Sequence, residues 1–127
     1  MSGARILLVE DEPMIRSVVA DLLRAKGHEV QEAGDGESAV EQFDTALEED
    51  APFTLTVLDL TLPGELSGQQ VLQRFRSRQA DLPVIIASGY ADEAEMQALC
   101  ADELTQLLPK PYNMGDLLSL VANMLGN

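Results

Sequence analysis

Six side chains able to do acid, nucleophilic or metal chemistry stand just beyond four short apolar runs. Glu10, Asp11 and Glu12 follow residues 6–9, Asp59 follows 55–58, Ser88 follows 84–87, and Lys110 stands just past 106–108. If those runs are neighbouring strands, three carboxylates converge within a few ångströms. Two unit charges about 4 Å apart repel by roughly 4 kcal/mol at an effective dielectric near 20. Such a cluster is unfavourable unless it is protonated or neutralised. A divalent metal is the simplest neutraliser. An all-oxygen donor set with few protein ligands and room for water favours Mg²⁺ over Zn²⁺, with Mn²⁺ able to substitute. The lone histidine, His28, sits in a turn between Gly27 and Glu29 and is expected to face solvent rather than ligate.

The elements that would position these residues are legible as alternating patterns. Residues 6–9 form a short continuous apolar run, the mark of a strand buried on both faces, and 55–58 and 84–87 read as further buried strands. Residues 29–32 alternate with polar side chains, which predicts an edge strand, and a last strand falls near 106–108. Between them, Pro13 suits the first position of a helix whose Ile15, Val18, Val19, Leu22 and Leu23 share a face, with Gly27 placed to end it. Asp35, Gly36 and Ser38 open a second helix with Ala39, Val40, Phe43 and Leu47 inward. Pro63, Gly64 and Gly68 mark a loop before a third helix carrying Val71, Leu72 and Phe75. Asp92 caps a fourth with Met96 and Leu99, and Asn113 a fifth with Leu117, Leu118, Val121 and Leu125 inward. Five strands alternating with five helices predict a doubly wound parallel sheet in one domain spanning residues 1–127, with no repeat, linker or output domain. Ligands in that architecture sit beyond the carboxyl ends of the strands, at a topological switch point.

Composition narrows the partners. Eight basic residues against 22 acidic ones give a net charge of −14, so a nucleic-acid backbone would be repelled. Two Tyr and three Phe leave little for base stacking, and direct nucleic-acid binding is not expected. No apolar run has the length of a membrane span, and the start lacks a signal peptide, so a cytoplasmic location without membrane contact is expected. The single Cys100, near Met96, Leu99 and Leu104, predicts a buried, inert thiol.

The chain closely resembles the receiver domain of two-component response regulators. The resemblance rests on ILLVEDEP at the first strand, LTVLDLTLPGELSG around Asp59, PVIIASGY around Ser88 and LLPKPY around Lys110. It spans roughly residues 5–125, and four motifs in order at domain-wide spacing make it specific. It implies a flavodoxin-like fold with strand order 2-1-3-4-5. It also implies roles. Asp59 is the nucleophile that accepts a phosphoryl group from a sensor histidine kinase or histidine phosphotransfer domain. Asp11, Asp59 and the Thr61 backbone carbonyl hold Mg²⁺, with Glu10 acting through water or from behind. Lys110 and Ser88 bind phosphoryl oxygens, and the Lys110–Pro111 bond is cis. The expected output is a changed protein–protein interaction in a phosphorelay, the chain being a phosphoacceptor with only self-phosphorylation and self-dephosphorylation chemistry, not an enzyme.

Two departures qualify the resemblance. The position three before Lys110, often an aromatic switch in the family, is Leu107, leaving Tyr90 to share that task with Ser88. The loop at 63–68 is one residue longer than the commonest form and resembles receivers that accompany hybrid sensor kinases. Two other readings compete. A degenerate receiver would serve only as a binding module, but all principal site residues are present. An aspartyl-nucleophile phosphatase would place a general-acid Asp two residues after the nucleophile, where this chain has Thr61.

Overall fold

The short runs of branched aliphatic residues become five parallel strands in the computed structural model, which describes residues 3–89, 104–110 and 112–126. They are β1 (Arg5–Val9), β2 (Glu29–Ala33), β3 (Leu55–Asp59), β4 (Val84–Ser88) and β5 (Thr105–Pro109). Their order is β2-β1-β3-β4-β5, as expected, with the polar β2 at an edge. Four helices join them among the described residues: α1 (Pro13–Ala25), α2 (Gly36–Glu48), α3 (Gly68–Arg78) and α4 (Met114–Met124). The helix expected at Asp92, with Met96 and Leu99, together with Tyr90, Cys100 and Pro111, lies outside the described residues.

Strand alternation sorts the core into two layers. Ile6, Leu8, Val57 and Ile85 pack with Val19 and Leu23 of α1 and Leu117 and Val121 of α4. Leu7, Val9, Leu58 and Ile86 face Phe43 of α2 and Phe75 of α3, whose rings stack with centroids 4.3 Å apart. The chain leaves β1 for β2 on one side and returns to β3 on the other. The crevice between the carboxyl ends of β1 and β3 is therefore the switch point.

Helix starts follow their caps. The Asp35 side chain accepts from Ser38 N at 2.7 Å, and Asn113 Oδ1 accepts from Asp116 N at 2.7 Å. At α3, Ser67 Oγ accepts from Gln70 N while Gln70 Oε1 accepts from Ser67 N, a reciprocal pair legible as Ser-x-x-Gln. The inward face of α1 differs from the expectation. Val19, Ala20 and Leu23 are buried and Ile15 partly so, whereas Val18 is 50% exposed and Met14 81%. The small Ala20 lies against the sheet, and Arg16 on the same side reaches back to the end of β1, so the helix is rolled away from Val18. In α2 the buried set includes Ala46, with Val40 and Leu47 only partly covered. His28 is half-buried rather than solvent-facing, because its Nδ1 accepts from Ala4 N at 3.0 Å and ties the α1–β2 turn to the start of β1.

Candidate functional site

Parallel pairing sets the depth at which each strand releases its last side chain. Val9 pairs with Leu58, Asp59 with Ala87, and Ser88 with Pro109. Glu10, Asp59, Ser88 and Lys110 therefore all leave the sheet at one edge, within a residue or two of a common level. Glu10 and Asp59 are each 2% exposed, Ser88 is also buried, and Asp11 is exposed beside them. Carboxylate oxygens of Glu10, Asp11 and Asp59 lie within 4.8 Å of one another.

Asp59 is held from both sides. Its Oδ1 accepts from Thr61 N at 2.9 Å, and its Oδ2 pairs with Lys110 Nζ at 2.8 Å. The ammonium also lies 3.7 Å from Glu10 Oε1. Lys110 N donates to the Ser88 carbonyl at 2.9 Å, so the β4–β5 ladder continues into the residue that carries the charge. Glu10 Oε2 accepts from Glu12 N at 3.1 Å. Arg16 clamps the same turn by donating to the Glu10 carbonyl at 2.9 Å, its guanidinium passing where Gly34 has no side chain.

The electrostatics follow from this crowding. Burial raises the Glu10 pKa from 4.5 to about 7, with the Asp11 contact and the Asp59 charge pushing the same way and the Glu12 amide and Lys110 opposing. Burial works against the charge of Lys110, yet the Asp59 and Glu10 carboxylates hold its pKa above the usual value. Tyr112 is raised mainly by burial and then by the Glu10 charge. Above the cluster opens a cleft of about 580 Å³, walled by Ile15, Gly89, Tyr112 and Met114 as well as the polar residues.

The cluster of acids thus carries more negative charge than Lys110 neutralises, and all its donors are oxygens. That is the environment of a hard divalent cation, and it fits Mg²⁺ better than Zn²⁺.

The structure brings Glu10, Asp11, Asp59 and Lys110 into one group, with Thr61 on its wall and Ser88 at the same edge. Leu107 is half-buried on β5 and packs against the α2–α3 side of the core. Sequence reasoning missed Arg16, Tyr112 and the steric need for Gly68. A Cβ on Gly68 would stand 2.4 Å from Leu60 Cα and 2.7 Å from the Asp59 carbonyl. The signal available was weak, a glycine at the start of a helix.

Comparison with known proteins gives a consistent picture. The profile of the response regulator receiver domain matches residues 6–122. The sensor kinase CckA of Brucella abortus (strain 2308) is 35% identical over 126 residues, covering 98% of this chain and 13% of that protein. The transcriptional regulatory protein TcrA of Mycobacterium tuberculosis is 32% identical over 117 residues, 92% of this chain and 44% of that protein. The chain thus spans less than half of either relative. Among solved structures, the receiver domain of the hybrid histidine kinase CckA matches with a TM-score of 0.75 and 36% identity, covering 95% of this chain and 98% of that one. The response regulator TrrA of Thermotoga maritima, in complex with Mg²⁺–BeF, matches with a TM-score of 0.77 and 27% identity, covering 96% and 99%.

Proposed function

The chain belongs to the response regulator receiver domain family, and from that premise we propose that Asp59 accepts a phosphoryl group from a phosphohistidine, with Mg²⁺ held beside it. The observation that carries this reading is the state of Asp59. It is buried at the end of β3, fixed through one oxygen by Thr61 N and through the other by Lys110, beside two further carboxylates.

An Asp59 carboxylate oxygen attacks phosphorus as the donor's N–P bond breaks, and the histidine departs with that electron pair. Thr61 N keeps the carboxylate pointed at the cleft. Lys110 neutralises charge, moving from the Asp59 oxygen to a phosphoryl oxygen, and the Ser88 hydroxyl serves another. Asp11, Asp59 and the Thr61 carbonyl would hold the Mg²⁺, with Glu10 behind them through water. Bound there, the ion supplies charge neutralisation on the phosphoryl oxygens. Attack of water on the phosphorus later restores the Asp59 carboxylate and releases inorganic phosphate.

The likeness to the receiver of a hybrid histidine kinase supports a phosphorelay role, with a sensor kinase or histidine phosphotransfer domain as donor. Among the described residues no helix is long and apolar enough to cross a membrane. Exposed Met14 and Val18 on α1, next to Ile15 of the cleft wall, offer the donor an apolar rim. The test uses acetyl phosphate with Mg²⁺ and intact mass. The wild type should gain one phosphoryl group that is lost on standing, and Asp59→Asn should gain none. Calorimetry should show Mg²⁺ binding weakened in Asp11→Asn. An acid-resistant phosphate on Ser or Thr would overturn the assignment.

A further inference from the structure

The loop that follows Asp59 carries Thr61 and must hold its backbone still while offering a carbonyl. At its start it is fixed by the Thr61 N–H bond to Asp59 Oδ1 and by Gly68 N donating to the Leu60 carbonyl at 3.3 Å. Its far limb is held by a side chain from another element. Glu37, in the first turn of α2, accepts at Oε1 from Glu65 N at 2.9 Å and from Leu66 N at 3.2 Å. Its own backbone amide is the largest cause that holds the Glu37 carboxyl below its usual pKa, and the Glu65 and Leu66 amides add to it.

Two glycines make room for this contact. Gly64 sits at φ +93°, and a Cβ there would meet the Glu37 carboxylate oxygens at 3.0 and 3.2 Å. Gly36 abuts Leu66, where a Cβ would stand 2.8 Å from the Leu66 Cβ and 2.9 Å from its carbonyl oxygen. Two unrelated parts of the chain are thus shaped for a single polar contact on an exposed surface. An exposed carboxylate adds little to global stability, so the contact is better explained by what it positions.

We infer that Glu37 is a positioning residue for the phosphoacceptor site: by capping the amides of Glu65 and Leu66 it holds the loop so that Thr61 keeps its amide on Asp59 and its carbonyl toward the cation. The inference rests on the Asp59–Mg²⁺ reading and adds to it a residue on α2 whose hydrogen bonds to the loop go to Glu65 and Leu66. Its action lies in hydrogen-bond acceptance. Glutamine, which presents an amide oxygen at the same reach without the charge, should therefore replace it.

The experiment compares the wild type, Glu37→Ala and Glu37→Gln in two measurements. In metal-free protein, amide hydrogen exchange at Glu65, Leu66 and Thr61 should quicken in Glu37→Ala and return toward wild type in Glu37→Gln. In calorimetric titration with Mg²⁺ alone, Glu37→Ala should bind about fivefold more weakly. That is below the ~10–100-fold loss typical when a group touching the ligand is removed, and Glu37→Gln should stay within about twofold of wild type. The thermal midpoint in EDTA should be nearly the same in all three. Faster exchange at Glu65 and Leu66 without any change at Thr61 would overturn the inference, as would equal Mg²⁺ affinity in Glu37→Ala and wild type. Equal weakening by Ala and Gln would also overturn it, by assigning the effect to charge. Absence of Mg²⁺ binding in the wild type itself would instead remove the metal reading on which the inference stands.

Discussion

Glu10→Gln should make the metal-free protein more stable above neutral pH while impairing the site it belongs to. Glu10 is 2% exposed, and its pKa is raised to about 7 by burial, the Asp11 contact and the Asp59 charge. In the unfolded chain it should titrate near 4.5, so the folded state holds this proton more tightly. Unfolding then releases protons between pH 4.5 and 7, and stability falls as pH rises through that window. At about 1.4 kcal/mol per pKa unit, the loss reaches about 3 kcal/mol by pH 8. The glutamine variant cannot undergo this loss, and its amide oxygen can still accept from Glu12 N.

Urea unfolding in EDTA measures the difference directly. The two proteins should agree within about 0.5 kcal/mol at pH 4.5, and at pH 8 the variant should be ahead by about 2–3 kcal/mol, roughly 1–2 M in urea midpoint. Added Mg²⁺ should shrink the gap, because a cation beside Glu10 stabilises its carboxylate. Parallel midpoints for the two proteins from pH 5 to 8 without metal would refute the claim that burial beside other acids holds the proton on Glu10.

Three other perturbations test separate parts of the structure. Gly68→Ala should cost about 1–3 kcal/mol in urea unfolding, because its Cβ would stand 2.4 Å from Leu60 Cα and 2.7 Å from the Asp59 carbonyl oxygen, both backbone atoms. Lys110→Met should slow phosphorylation by acetyl phosphate about 10²-fold, the scale of losing one electrostatic stabiliser, while Mg²⁺ affinity measured by calorimetry stays equal or improves. Val18→Glu, at a position 50% exposed, should change stability by no more than about 0.5 kcal/mol in urea unfolding. The same variant should slow transfer from a phosphohistidine protein but not from acetyl phosphate, as read by intact mass.

The linear pattern by itself determined the strands, their alternation with helices and the residues that end them. Aliphatic runs such as 6–9 and 84–87 cannot be solvated on either face, and residues such as Asp59 and Lys110 declare themselves by following apolar stretches. The edge position of β2 was legible for the same reason, since its polar residues would be costly inside the sheet. Tertiary structure decided what depends on approach between distant segments. The roll of α1 that exposes Val18 comes from Ala20 meeting the sheet and Arg16 reaching Glu10, and helical periodicity does not distinguish that roll from its neighbour. Likewise, Glu37 is 28 positions from Glu65, and nothing along the chain links the two. A carboxylate in a first helical turn usually serves the helix's own amides. Only the packing of α2 beside the β3–α3 loop, with Gly36 and Gly64 leaving space, turns it toward the loop that bears Thr61.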